Sequence, residues 1–261
     1  MTDWKPDLYL QFGKERTQPA IDLVSRIDHD GPKRILDVGC GPGNSTNVLK
    51  SRWPQAEIIG LDNSQAMIEE AKSNYPAMDW MSADASGDLT GLGKFDIVFS
   101  NAAIQWIPDQ EKLLSKLYGM LNKGGILAVQ VPYTNGLPTQ SELVKLISCE
   151  KWKNYYTDFM EGYTIYSPDF YFDTLSRLTK DIDIWETKYI YIMNSHADIV
   201  KFYSGSALRD YLDRLKNETQ TADFLSDYEN ALKPVYAARP DGRVLFPFTR
   251  IFFIARKGTA L

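Results

Sequence analysis

Three glycines and two acids carry the strongest chemical signal in this chain. In Asp37-Val38-Gly39-Cys40-Gly41-Pro42-Gly43 the glycines alternate with other residues, after an apolar run and before a helix-forming stretch. Glycine enters left-handed backbone without a Cβ clash and lets the main chain approach a ligand closely, and a following helix offers N–H groups that no carbonyl of its own can reach. A phosphate-gripping P-loop needs Lys-Ser/Thr after the glycines, and Gly43-Asn44-Ser45 has no lysine. A dinucleotide fingerprint wants a further glycine or alanine three positions after the second, but that position is Asn44, and Pro42 removes an N–H that a pyrophosphate would use. What fits is a ligand with an amino-acid end, a nucleoside end and no phosphates.

The second acid is Asp62, roughly 20 residues past the glycines, at the end of the next apolar run. A carboxylate there accepts both hydroxyls of a ribose; the plainer alternative is that the glycines only tighten a strand-to-helix turn and Asp62 is a solvated strand-end charge. Its neighbours Asn63 and, one helical turn on, Met67 join it as candidate ligand contacts. Asp84, with Ala85, follows a third run, where a side-chain oxygen can accept from an adenine amino group; a turn-forming aspartate is the plainer alternative. Asn101 and Trp106 follow a fourth run, the first facing the ligand's reactive end and the second closing the pocket, unless Trp106 is simply core. Cys40 is a small filler, since no His or Lys stands near it in sequence to activate a thiol.

These residues need a scaffold, and the sequence supplies alternating strand and helix patterns. Strands are expected at Arg34–Val38, Glu57–Asp62, Asp79–Ser82, Phe95–Ser100 and Gly124–Val131, with helices at Asn44–Lys50, Ser64–Lys72 and Asp109–Leu121, the last closed by a Lys-Gly-Gly cap. That alternation is the mark of a parallel, Rossmann-like α/β sheet. Past Pro132 it stops. Thr134–Lys180 reads as an aromatic-rich helical cap, and Ile182–Ile192 and Val244–Ala255 read as two strands pairing antiparallel at the sheet edge, with Pro247 favouring an edge or a bulge. Helices at Ser195–Leu215 and Thr221–Leu232 lie between them. The expected organisation is one domain over 1–261: an amino-terminal helical lid 1–32, a ligand-binding core 33–132, a helical cap 133–181, and sheet completion 182–261 with a helical insertion 195–243.

Composition narrows the function classes. The 261 residues are 44% hydrophobic, enough to bury a substantial core. No apolar stretch approaches the roughly 18 residues that a membrane-spanning helix needs, and Met1–Lys14 lack the pattern of a secretory signal, so the cytoplasm is the expected compartment. A net charge of −5 without a basic run disfavours nucleic acid as a partner, and two cysteines far apart make neither a disulfide framework nor a metal site. No catalytic His or Cys constellation stands out. Oligomeric state is left open, a monomer being compatible.

Taken together, these residues resemble class I S-adenosylmethionine-dependent methyltransferases, and within that class the group acting on small polycarboxylic acids. The resemblance covers nearly the whole chain: Asp3-Trp4 through Arg16, Asp37 through Thr46, Asn101-Ala102-Ala103-Ile104-Gln105-Trp106-Ile107-Pro108-Asp109, Asp183-Ile184-Trp185, Ser206-Ala207-Leu208-Arg209 and Phe246-Pro247-Phe248-Thr249-Arg250. It implies S-adenosylmethionine as cofactor, S-adenosylhomocysteine as product, and a carboxylate such as that of trans-aconitate as methyl acceptor, giving a monomethyl ester. A carboxylate is already ionised at neutral pH, so the chemistry needs placement rather than a base. Arg16, Arg209 and Arg250 are the expected carboxylate ligands, assisted by Tyr9, Phe12, Gln105 and Tyr191. Tyr9, Phe12 and Arg16 have the spacing of one helix face. Gln18, Leu137-Pro138-Thr139-Gln140 and Tyr191 depart from the group's usual Arg, Glu/His and His, which bears on the choice of acid. The competing readings are a methyltransferase for a hydroxyl or amine acceptor, which needs a base, a nicotinamide-dependent oxidoreductase, and a cofactor-binding protein with no turnover of its own.

Overall fold

A computed structural model of the chain describes residues 12–258. Seven strands form one sheet in the order β3-β2-β1-β4-β5-β7-β6. They are β1 (Arg34–Val38), β2 (Glu57–Asp62), β3 (Asp79–Ser82), β4 (Phe95–Asn101), β5 (Leu121–Tyr133), β6 (Ile182–Met193) and β7 (Val244–Arg256). β1 pairs in parallel with β2 and β4, β2 with β3, and β4 with β5. Lys257, just past β7, bonds in both directions with Gly124 and Gly125 at the start of β5, and the Arg256 N–H donates to the Asp181 carbonyl just ahead of β6. The end of β7 thus meets the starts of β5 and β6, so β7 runs antiparallel to both. β7 stands between β5 and β6 in the strand order and β6 takes the edge; of the two alternatives for Pro247, an edge or a bulge, this order bears only on the first.

The chain divides into two compact units: a core unit of Gly13–Tyr133, Tyr163–Thr187 and the described residues from Arg250 on, and a second that includes Phe12, Thr134–Gly162 and Lys188–Thr249. Residues 13–32 and 163–181 cluster with the core unit. In the core unit, Ile35, Leu36 and Val38 are fully enclosed and alternate to the two faces of β1; each such side chain contributes about 1.5–3 kcal/mol. Leu36, Val38, Phe95, Val98, Leu113, Leu117, Tyr171 and Phe253 belong to one continuous apolar cluster.

The core helices are α1 (Gly13–Ser25), α2 (Asn44–Arg52), α3 (Gln65–Asn74), α4 (Gln110–Gly119) and α6 (Pro168–Ser176), with α5 (Pro138–Ser148) in the second unit. Arg52 of α2 donates to the carbonyls of Val24 and Ile27, capping the exposed carbonyl end of α1 and pinning the two helices together. The Ser64 hydroxyl caps α3 by accepting from the Met67 N–H. The expected Lys-Gly-Gly helix cap is not formed. α4 ends at Gly119 and is capped at Met120, and β5 already begins at Leu121. Leu121 pairs with Phe95 and Ile126 with Ile97, so the intervening glycines absorb a bulge, with Gly124 at φ +75°.

The second unit has its own aromatic core, in which Phe12, Tyr191, Phe202, Tyr203, Phe246 and Phe248 cluster. Its remaining helices are α7 (His196–Ser204), α8 (Arg209–Leu212) and α9 (Glu218–Leu232).

Candidate cofactor and acceptor site

The glycine turn lies at the carboxyl end of β1, the side on which parallel sheets bind ligands. Gly39, Gly41 and Gly43 all have positive φ, +72°, +53° and +95°. A Cβ on Gly39 would stand 2.1 Å from that of Ala103, and one on Gly43 would strike the rings of Tyr75 and Trp80 at 2.7 and 2.8 Å. A Cβ on Gly41 would meet nothing within 4 Å. The outer two glycines therefore let protein pack onto the turn, and the middle one borders open space. The N–H groups of Gly39 and Cys40 both donate to the Leu61 carbonyl, at 2.7 and 3.0 Å, tying the turn to the end of β2.

Asp62 reinforces that tie. Its Oδ2 accepts from the Gly41 N–H and its Oδ1 from the Ser64 N–H, both at 2.9 Å. A carboxylate offers about four lone-pair positions, more than these two backbone bonds take up. Beside it Asn63 is exposed and Met67 is buried. Asp84 is exposed, and its Oδ1 accepts from the Ser86 N–H at 2.8 Å, a bond that holds its carboxyl below the usual range. Its carboxylate thus builds a turn, while Ala85 next to it is buried.

Asp37 is fully buried, and its Oδ2 accepts from the hydroxyls of Ser45 and Thr46, each at 2.7 Å. Burial pushes the carboxyl up to about 6; the two hydroxyls pull it back, and the charge of Asp62 adds a smaller push. Burial likewise raises the Cys40 thiol well above its ordinary value, with the Asp37 and Asp62 charges adding to it, so Cys40 is no nucleophile.

At the end of β4 the backbone turns sharply, with Ala102 at φ +56°. The Gln105 Nε2 donates to the Ala102 carbonyl at 2.7 Å, and the Ala102 N–H donates to the Gln130 carbonyl at 2.9 Å, which together hold this strained residue. The Asn101 Nδ2 donates to the Arg16 carbonyl at 3.5 Å. Trp106 lies edge-on to Tyr163 with ring centroids 5.1 Å apart. The chain after Tyr163 is fastened here: the Thr164 N–H donates to the Gln105 carbonyl, and the Thr164 carbonyl accepts from the Gln110 Nε2, both at 2.8 Å.

Three buried oxygens of this region, Asp37 Oδ1, Asn101 Oδ1 and Gln105 Oε1, have no hydrogen-bond partner among the described residues. An acceptor-rich cluster beside a glycine that borders open space suits a ligand bearing N–H donors and positive charge, and S-adenosylmethionine, with its ammonium and sulfonium, is such a ligand. The residues present therefore fit this cofactor.

Of the expected acceptor ligands, the core unit holds three. Arg16 and Arg250 are both buried, and the Arg250 Nη1 donates to the Gln130 Oε1 at 3.3 Å. The Gln105 Nε2 donates one N–H to the Ala102 carbonyl, and its buried Oε1 has no partner among the described residues, so that oxygen suits a donor. In the second unit, Phe12 lies edge-on to Phe202 at 5.5 Å and Tyr191 packs among Phe202, Phe246 and Phe248, so both are parts of an aromatic core. Arg209 pairs with Asp210 at 3.6 Å. Phe12 precedes α1, which begins at Gly13, and Tyr9 lies outside the described residues. Gln130 and Tyr163 were not singled out from sequence. Gln130 had a signal, as the one polar side chain in Ile126–Val131.

Comparison with known proteins agrees with this geometry. A methyltransferase-domain family model matches residues 35–125, which run from β1 into β5. A trans-aconitate 2-methyltransferase of Methylobacterium radiotolerans is 38% identical over 262 residues, covering 99% of this chain and 100% of that protein. One from an Enterobacter species is 37% identical over 257 residues, covering 98% and 99%. Among solved structures, a putative methyltransferase of Bacillus halodurans superposes with a TM-score of 0.58 at 16% identity, over 92% of this chain and 99% of that one, which shows the shared fold. The chain belongs to the trans-aconitate 2-methyltransferase family and is an S-adenosylmethionine-dependent methyltransferase.

Proposed function

We propose that the acceptor is a carboxylate of trans-aconitate or a closely related small polycarboxylic acid, and that the product is its monomethyl ester. The observation that carries this reading is the buried guanidinium of Arg250, held beside the carboxyl end of β5 by Gln130. An arginine fork matches a carboxylate in shape and charge, and the relatives named above act on this acid.

The bound cofactor supplies an electrophilic methyl group on a cationic sulfur. The chain's residues do the positioning: Asp62 for the ribose, the oxygens of Asp37, Asn101 and Gln105 for the cationic end, and Arg16 and Arg250 for the acid. Trp106 and Tyr163 form an aromatic wall that excludes water. No residue needs to remove a proton, because the acceptor is ionised at neutral pH. That agrees with the placement of His29, which precedes β1, at the opposite ends of the strands from the turn. Methyl transfer from a cation to an anion neutralises charge, so a buried site of low dielectric favours it.

Incubation with methyl-labelled S-adenosylmethionine and a panel of mono-, di- and tricarboxylic acids is expected to give an ester of trans-aconitate by mass spectrometry. Its kcat/KM should exceed that of a monocarboxylic analogue by about a hundredfold, since each charge-assisted carboxylate bond contributes about 1.5–3 kcal/mol. Absence of ester across the panel overturns the reading.

Asp37 predicts a pH dependence. Its folded value of about 6 lies above the ordinary 3.8, so the folded chain holds this proton more tightly than the unfolded one. The stability gained from that is full below about 4 and is lost as pH rises through about 6. A cationic ligand favours the ionised carboxylate, so S-adenosylmethionine should bind up to about tenfold more tightly at pH 7 than at pH 5, one pKa unit being a factor of ten. Calorimetry at the two pH values checks this; Asp37→Asn should abolish the difference, and equal wild-type affinities would contradict it.

A further inference from the structure

We propose that Gln130 binds the methyl acceptor directly: its side-chain NH2 donates to a carboxylate oxygen of the acid while its Oε1 holds the Arg250 guanidinium. The inference rests on the reading of the acceptor as a polycarboxylic acid.

Gln130 is fully buried in an otherwise apolar stretch of β5. The two ends of its amide cannot be exchanged. The Arg250 Nη1 lies 3.3 Å from the end assigned as Oε1, and a guanidinium can only donate, so the atom facing it is the oxygen. The Nε2 is therefore the other atom, and it is a buried donor with no partner among the described residues. Leaving such a group unsatisfied is unfavourable, which makes it a signpost for an acceptor that arrives with a ligand.

Its position agrees. Gln130 is the register partner of Asn101 in the parallel β4–β5 ladder, so the two side chains stand on one face of the sheet. Its backbone carbonyl accepts from Ala102 in the turn that carries Gln105. Gln105 is locked the opposite way: its Nε2 faces the Ala102 carbonyl, which can only accept, so it presents its oxygen. One glutamine at this end of the sheet thus offers an acceptor and the other a donor. The oxygens of Gln105, Asn101 and Asp37 suit the cationic partner of the reaction, and the NH2 of Gln130 beside Arg250 suits the anionic one. This division assigns the two charged reactants to two sides of the site.

Gln130→Glu in the full chain keeps an oxygen facing Arg250, replaces the NH2 by a second oxygen and so removes the donor to the acid while adding a negative charge beside it. With trans-aconitate as substrate, KM should rise at least about a hundredfold, the loss of one charge-assisted bond plus repulsion. kcat should change less than about fivefold, the S-adenosylhomocysteine Kd should stay within about twofold, and the melting midpoint should hold or rise as the new carboxylate pairs with Arg250. A folded variant whose KM for the acid stays within about threefold of wild type overturns the inference and leaves the functional reading intact. Should Gln130→Glu fail to fold, Gln130→Met, which fills the same space without polar atoms, must show the same selective rise in KM, and an unchanged KM there is equally fatal. A wild-type chain that methylates no acid of the panel overturns the functional reading, and this inference with it.

Discussion

Replacement of Asp62 with alanine is expected to weaken S-adenosylhomocysteine binding at least about a thousandfold, the largest effect of any single side chain in the site. Two kinds of bond are lost together. The carboxylate now anchors the Gly41 and Ser64 N–H groups, each at 2.9 Å, and so fixes the glycine turn against the start of α3. Its remaining lone pairs are the natural acceptors for the ribose diol, and two charge-assisted bonds are together worth about 3–6 kcal/mol. Asp62→Asn should recover little, because an amide has a single acceptor atom and its NH2 would oppose one of the two backbone donors. Calorimetric titration with S-adenosylhomocysteine checks both variants. Binding by Asp62→Ala within about tenfold of wild type would remove the carboxylate from the cofactor site.

The second large effect distinguishes two glycines of one turn. Gly41→Ala should fold yet lose cofactor affinity at least about a hundredfold, whereas Gly39→Ala should fail on stability. At Gly41, φ is +53°, a region an L residue enters at about 1–2 kcal/mol, and the new methyl meets no protein atom within 4 Å. It would instead stand in the space where the backbone borders the ligand. At Gly39 the methyl would lie 2.1 Å from the Ala103 Cβ, which has no rotamer with which to yield. Such overpacking costs about 1–3 kcal/mol or more, beyond the strain of φ +72°. Thermal unfolding read beside calorimetry separates the two. A Gly41→Ala protein that binds as wild type does would show that the open space is not the ligand's.

Much of this site is local in sequence, and that part was legible. Glycine spacing, the preceding apolar run and an acid at the next strand end are set by neighbours a few residues away, so β1, the turn, α2, β2 and Asp62 follow from reading along the chain. What escaped depends on distant partners. The bulge at the start of β5 is settled by pairing with β4 and by Lys257, neither of which the Lys-Gly-Gly run announces. The interior place of β7 is a matter of strand order, which a proline inside one strand cannot report. Gln105 and Gln130 look alike as letters. Their opposite roles are set by what locks each amide, the Ala102 carbonyl for one and, 120 positions along the chain, the Arg250 guanidinium for the other. Asp84 shows the reverse limit, since an aspartate at a strand end suits an Asx-turn as well as a ligand, and what the chain shows is an exposed carboxylate bonded to the Ser86 N–H.

Family membership leaves no room for the nicotinamide-dependent alternative, and the missing N–H at Pro42 gives a physical reason in the turn itself. The most direct test of the whole account is a crystal structure of the chain with S-adenosylhomocysteine bound. The account predicts both ribose hydroxyls within hydrogen-bond distance of the Asp62 carboxylate and the amino-acid end of the ligand beside Gly41. A nucleoside seated elsewhere, with neither ribose hydroxyl at the Asp62 carboxylate, would contradict it.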